Sequence, residues 1–289
     1  MTLQENELIK IRRDLHQIPE IGLEEYETSD YLLKIINGLP QENLEIKRWK
    51  TAILVHLNGE NKNYTIGYRT DIDGLPVEEK TGLPFSSKHE GRMHACGHDI
   101  HMTVALGVLS YFASHRPKYN MTFIFQPAEE NASGGMKLYQ SGELDEWMPD
   151  EIYALHDNPQ LPAGTIGCRK GTLFAGTCEI HVKFIGKSGH AAYTHQANDM
   201  VVAGAQFVNQ IQTIVSRNVD PIQSGVVTLG HFSAGTTGNV ISGVCQIDGT
   251  IRALTQENNL LIQKRVRTIA EGIAHSFDCE LEIDLHQGG

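Results

Sequence analysis

The chain reads as an α/β protein: a mostly parallel sheet with helices on both faces, then a smaller domain of ferredoxin-like β-α-β-β-α-β order. Three observations predict this. Helix-period and strand-period segments alternate through residues 1–172. From residue 173 to 289 the order changes to the split β-α-β-β-α-β pattern. Four polar residues, Asp71, Glu129, Glu130 and His156, each fall just past the carboxyl end of a predicted strand, the edge where ligand sites collect in open α/β sheets.

Taken in order, Leu8, Ile11, Leu15 and Ile18 recur at helical spacing until Pro19 stops the run. A second helix is expected from Glu24 to Ile36, closed by Asn37-Gly38. Ile53–Leu57 and Tyr64–Tyr68 read as strands across a polar turn. A helix follows the segment His94-Ala-Cys-Gly-His-Asp-Ile-His101, with Ile100, Val104, Val108 and Phe112 on one stripe. Met121–Phe125 is a strand running into Pro127-Ala128-Glu129-Glu130; a short helix over 135–141 and a strand over 151–155 lead to His156. In the second domain, strands are expected at 177–185, 225–231, 243–253 and 279–285, and helices at 200–216 and 257–276.

Composition narrows the function. A hydrophobic fraction of 40% and a charged fraction of 20% are those of a soluble globular protein. The formal net charge of -11 argues against nucleic acid or an anionic membrane as the main partner. The N-terminus carries no basic segment followed by an apolar core, and no apolar run is long enough to span a bilayer. The five cysteines are scattered without a framework spacing, so free thiols in a reducing cytoplasm are expected.

The chemistry concentrates around Cys96 and His98, two residues apart across Gly97. A thiolate and a neutral imidazole suit a zinc-like dication, and the glycine lets the backbone turn so that both aim at one point. With Glu130 and His156 they make a mixed sulfur, nitrogen and oxygen set for one or two divalent ions, zinc, manganese or similar, with a position left open. Adjacent carboxylates in a loop point in different directions. Glu130 is therefore read as a ligand and Glu129 as the general base facing the water that a metal would activate. Asp71 is either a further ligand or, as preferred here, a carboxylate accepting the far N–H of a ligating histidine. In the second domain His190, on a glycine-flanked turn, and Asn239 and Arg252 are candidate grips for a substrate carbonyl or carboxylate.

The segments Arg12-Arg-Asp-Leu-His16, Tyr68-Arg-Thr-Asp-Ile-Asp-Gly-Leu-Pro76, Met93-His-Ala-Cys-Gly-His-Asp99 and Phe125-Gln-Pro-Ala-Glu-Glu130 together resemble the metal-dependent aminoacylase and amidohydrolase group of metallopeptidase-like enzymes. The resemblance covers the whole chain. It implies a catalytic domain with a two-metal centre and a smaller lid domain through which such chains form homodimers. It implies Cys96, His98, Glu130 and His156 as ligands, Glu129 as proton acceptor and Asp71 as a functional carboxylate. The substrate would be a small N-acyl amino acid, and the greatest similarity is to enzymes that take acetate from N-acetyl-LL-2,6-diaminopimelate in lysine biosynthesis. Hydrolysis of other N-acyl amino acids, of hippurate or auxin-conjugate type, and a catalytically impaired metal-binding fragment are the alternatives. Members of the group continue past the lid, return to the catalytic sheet and add one more ligating histidine, a segment expected to be lacking here. This chain also carries an additional acid, Asp157, directly after His156.

Overall fold

Alternating side chains along β2 (Ala52–Leu57) explain the first half of the fold. All six are buried, yet they go to two different cores. Ile53, Val55 and Leu57 join the cluster under α1 (Glu5–His16), α2 (Tyr26–Asn37) and α3 (His98–Ser114). Ala52 and Leu54 join the cluster of Leu138, Leu144 and Trp147 on the other face, beneath α4 (Gly134–Gln140). A strand with period-2 side chains and no polar face must be covered on both sides. The computed structural model describes residues 2–131 and 133–287. The chain divides into two compact units, Met1–Thr165 and Ile166–Gly289.

The first unit is α/β, with a five-stranded sheet in the order β1-β2-β4-β3-β5. Here β1 is Leu44–Trp49, β3 Asn61–Asp71, β4 Tyr119–Gln126 and β5 Glu151–Ala154. The sheet is mixed: β3 pairs in parallel with β4 and β5, whereas β1 with β2 and β2 with β4 are antiparallel. The antiparallel part arises from β2, which runs opposite to both of its neighbours, β4 and β1; β1 is a strand the sequence pattern does not announce. Its Leu-Glu-Ile-Lys-Arg-Trp run is half charged, and a tight turn at Lys50 (φ 53°) folds it onto β2. The three mutually parallel strands put their carboxyl ends at one rim, where Asp71 ends β3. On α3 the expected stripe of Ile100, Val104, Val108 and Phe112 is only partly buried; Met102, Ala105, Leu106 and Leu109 face the core.

The second unit has the strand order β11-β6-β10-β8, all antiparallel, the arrangement of a ferredoxin-like β-α-β-β-α-β fold. Its strands are β6 (Gly176–Ile185), β8 (Gly225–Ala234), β10 (Val244–Ala253) and β11 (Glu280–Gln287). Cys178, Ile180, Val182 and Phe184 point from β6 into one core with α5 (Met200–Ile211), α6 (Thr213–Asn218) and α7 (Gln256–Ser276). The single helix expected over 200–216 breaks at Gln212 into α5 and α6. A two-stranded ribbon, β7 (Gly189–His190) with β9 (Val240–Ile241), was not foreseen. Among the described residues no helix is long and apolar enough to cross a membrane.

Two outcomes test this account of the first unit. Leu54→Ala and Leu57→Ala, on opposite faces, should each cost about 2–5 kcal/mol in urea unfolding, whereas Leu260→Ala, half exposed on α7, should stay within about 0.5 kcal/mol. Tolerance of alanine at either position would show the face carrying that residue to be solvated. The second outcome concerns acid. His56 is buried against Trp147, its Nδ1 donates to the Thr122 hydroxyl at 3.1 Å, and burial lowers its pKa below the ordinary 6.5. The folded form therefore prefers the neutral ring. Its contribution is fully present above about pH 6.5 and is lost as pH falls toward the lowered folded value. His56→Asn should flatten the fall in urea midpoint between neutral and mildly acid pH; an unchanged slope would show that His56 does not contribute to it.

Candidate metal centre

A bridge between Leu75 and Met93 closes the loop that precedes the Cys-Gly-His turn. Gly97 then takes a left-handed conformation (φ 80°), and an added Cβ would lie 2.3 Å from the Asp157 carboxylate. Only glycine satisfies both the backbone and the space. This turn starts α3 at His98, and one helical step later comes His101 on the same face.

His98 is buried and its Nδ1–H donates to the carbonyl of Asp73 at 2.8 Å, which leaves the Nε2 lone pair as the outward face of the ring. Nε2 is buried with no hydrogen-bond partner among the described residues. So is Glu130 Oε1, 3.7 Å away. Ligand atoms of Cys96, His98 and Glu130 all lie within 4.8 Å of one another. Cys96 Sγ is 3.4 Å from His156 Nε2, so the fourth expected residue borders the same place. Burial by itself would depress His98, but the Asp73 side chain, the Cys96 sulfur and the charge of Asp71 outweigh it and push the ring up to about 11. That field favours positive charge between the ring and the Glu130 carboxylate, and a dication would take the place of the proton that His98 otherwise holds on Nε2.

A second group adjoins the first. Asp71 accepts from His101 Nδ1 at 2.7 Å and from Arg69 at 2.8 Å, and its other carboxylate contact is His98 Nε2 at 3.8 Å. Burial acts to raise Asp71, yet His101, His98 and Arg69 hold it well below the usual carboxylate range. Asp71 thus serves His101, whereas the far N–H of His98 goes to the Asp73 carbonyl. His101 Nε2 receives the Asp157 amide at 3.0 Å and also faces Asp157 Oδ1 at 2.9 Å. His101, His156 and Asp157 form another set able to hold a cation.

The Glu-Glu segment follows β4 through Pro127 and Ala128. Ala128 has φ 51°, a left-handed turn directly before the two carboxylates. Glu130 donates its amide to Asp73 Oδ2 at 3.0 Å, and its side chain turns toward His98. Glu129 is the more exposed of the pair; partial desolvation and then the charge of Glu130 raise its carboxyl above the ordinary value. Asp73, His101 and Asp157 are the residues that sequence reading did not place in the site. For His101 the signal was available in its i+3 spacing from His98. Asp73 works through its backbone carbonyl as well as its carboxylate, and the part played by the carbonyl is one that no residue type announces.

In the second unit the ribbon brings His190 and Asn239 together, with the Ala191 amide donating to the Asn239 carbonyl at 3.1 Å. Arg252 does not join them. It lies on β10 eight residues beyond Val244, where the ribbon side of the strand begins. That is about 26 Å at roughly 3.3 Å per residue.

An α/β unit presenting thiol, imidazole and carboxylate groups at the carboxyl rim of its parallel strands is the arrangement of a metal-dependent hydrolase. The chain belongs to peptidase family M20/M25/M40, whose family model matches residues 67–265. Among its relatives, a Ligilactobacillus salivarius protein named N-acetyldiaminopimelate deacetylase is 99% identical over 289 residues, covering 100% of this chain and 76% of its own length. A protein of the same name from Lactiplantibacillus plantarum is 70% identical over 293 residues, with the same coverage of 100% and 76%. Two solved structures are 33% identical. One, from methicillin resistant Staphylococcus aureus, superposes with a TM-score of 0.88 over 98% of this chain and 76% of its own. The other, a Bacillus subtilis dinuclear metal binding peptidase of the M20 family, gives 0.78 over 98% and 74%.

A divalent cation should raise the unfolding temperature of the wild type. Zn²⁺ at a hundred times its Kd should add about 2.7 kcal/mol, and His98→Ala should remove the effect. A shift that persists in His98→Ala would place the cation elsewhere.

Proposed function

We propose that this chain hydrolyses the acetyl amide of N-acetyl-LL-2,6-diaminopimelate, giving acetate and LL-2,6-diaminopimelate for lysine biosynthesis. The observation that carries this reading is 99% identity across all 289 residues to a protein named for that deacetylation. The convergence of Cys96, His98 and Glu130 on one point supports a cation-dependent chemistry for it.

In this reading Cys96, His98, Glu130 and His156 hold divalent metal ions, two per site, as the dinuclear Bacillus subtilis relative suggests. Bound there, the ions would polarise the amide carbonyl and lower the pKa of water. Glu129 accepts the proton of the attacking water as oxygen adds to the acetyl carbon. It then delivers that proton to the nitrogen as the C–N bond breaks, so that acetate and a free amine leave. Its raised carboxyl pKa favours an acid able to return what it has taken. Asp71 orients His101, keeping its Nδ1–H engaged. His190 and Asn239 are assigned to the carbonyl and carboxylate ends of the substrate; Arg252, about 26 Å farther along β10, is too distant to share that substrate with them within one chain. The second unit is assigned the part of lid and homodimer contact, in a cytoplasmic enzyme.

Glu129→Gln should keep cation affinity within about threefold while kcat for acetate release falls about 10²–10⁴-fold. Near-normal turnover would remove Glu129 from the proton-transfer role. The substrate is tested separately: kcat/KM should be far higher with N-acetyl-diaminopimelate than with benzoyl-glycine, and the reverse order would point to another N-acyl amino acid.

A further inference from the structure

Glu25 stands at the N-terminus of α2, where a carboxylate ordinarily caps the helix. It makes no such bond. Glu20 does that work instead, accepting from the amides of Glu27 at 3.1 Å and Thr28 at 2.8 Å. The Glu25 side chain turns inward, completely buried. Oε1 accepts the amide of Ala128 at 2.8 Å and Oε2 accepts the Thr51 hydroxyl at 2.6 Å. Glu25 has no cation partner among the described residues, and a carboxylate so placed is costly to bury, so its retention asks for a reason.

Ala128 supplies one. It is the residue directly before Glu129 and Glu130, it is wholly buried, and its φ of 51° is a conformation that alanine rarely adopts. Its carbonyl accepts the Gly134 amide at 2.9 Å, and a Cβ on Gly134 would fall 1.8 Å from the Pro127 carbonyl. The turn is thus held from the carbonyl side by Gly134 and from the amide side by Glu25. We infer that Glu25 is a positioning residue: its hydrogen bond to the Ala128 amide holds the left-handed turn that aims Glu129 and Glu130. The charge of Glu25 is incidental, and the reach of its side chain is what counts. The kinetic half of this inference rests on the proposed deacetylation; the cation-binding half does not.

Two variants separate reach from charge. Glu25→Gln loses the charge but keeps an acceptor oxygen at the same distance, while its amide can donate to Thr51. Glu25→Asp keeps the charge but is one methylene too short for Ala128. Both are measured by calorimetric titration with Zn²⁺ and Co²⁺ and by acetate release. Glu25→Gln should match the wild type within about threefold in cation Kd and in kcat, since the bond that orients the ligand is retained. Glu25→Asp should bind the cation about tenfold more weakly. It should also lose about 10²-fold in kcat, with KM within about threefold, because the groups are misplaced and not the substrate. The reverse order of the two variants, or a folded Glu25→Asp with wild-type affinity and kcat, overturns the inference. If the wild type binds cation but releases no acetate, the deacetylase reading fails while the titrations still decide the role of Glu25. A wild type that binds no divalent cation removes the site to be positioned and overturns both.

Discussion

Two hydrogen bonds to Asp73 organise the whole centre. Its carbonyl takes the Nδ1–H of His98, and its carboxylate takes the amide of Glu130. The first fixes the tautomer, so the Nε2 lone pair is the one presented; the second brings the carboxylate of Glu130 opposite it. Without that residue the two orphaned atoms would be free to turn toward water or toward other partners. Buried polar atoms without partners are disfavoured, and among the described residues the structure leaves two such atoms, His98 Nε2 and Glu130 Oε1, 3.7 Å apart. The centre is built to accept a positive charge that the polypeptide does not provide.

The sheet supplies the frame for that arrangement. Because β3 and β4 run in parallel, Asp71 and the Glu129–Glu130 turn leave the same rim, and β5 brings His156 and Asp157 to it from the other side of β3. The two-faced core around β2 and β4 makes the frame rigid. Rigidity matters because the turn at Ala128 is unfavourable by itself and has to be imposed by its surroundings.

Much of this was legible in the amino-acid order. The strands β2, β3, β4 and β5 and the helices α1 to α4 follow from periodicity, and the four-strand order of the second unit follows from its β-α-β-β-α-β pattern. The Cys-Gly-His turn announces itself because Gly97 has no substitute there. What escaped was whatever depends on tertiary partners. The β1 strand is a strand because it pairs with β2; its charged side chains give no such signal. Parallel and antiparallel neighbours cannot be told apart from strand periodicity, so the mixed character of the sheet was hidden. The buried stripe of α3 carries Met102, Ala105, Leu106 and Leu109, one face round from the β-branched stripe that periodicity picks out. Asp71 was read as the partner of a ligating histidine, and its partner proved to be His101, because the outer nitrogen of His98 is taken by a backbone carbonyl. Backbone acceptors leave no mark in a sequence.

The central claim is that one sulfur and the Nε2 of His98 share a cation with Glu130. X-ray absorption on the zinc-loaded protein tests it directly. The account predicts one sulfur scatterer at about 2.3 Å with nitrogen and oxygen neighbours at about 2.0–2.2 Å, the sulfur contribution disappearing in Cys96→Ser. A zinc shell of nitrogen and oxygen alone, unchanged by that substitution, would contradict it.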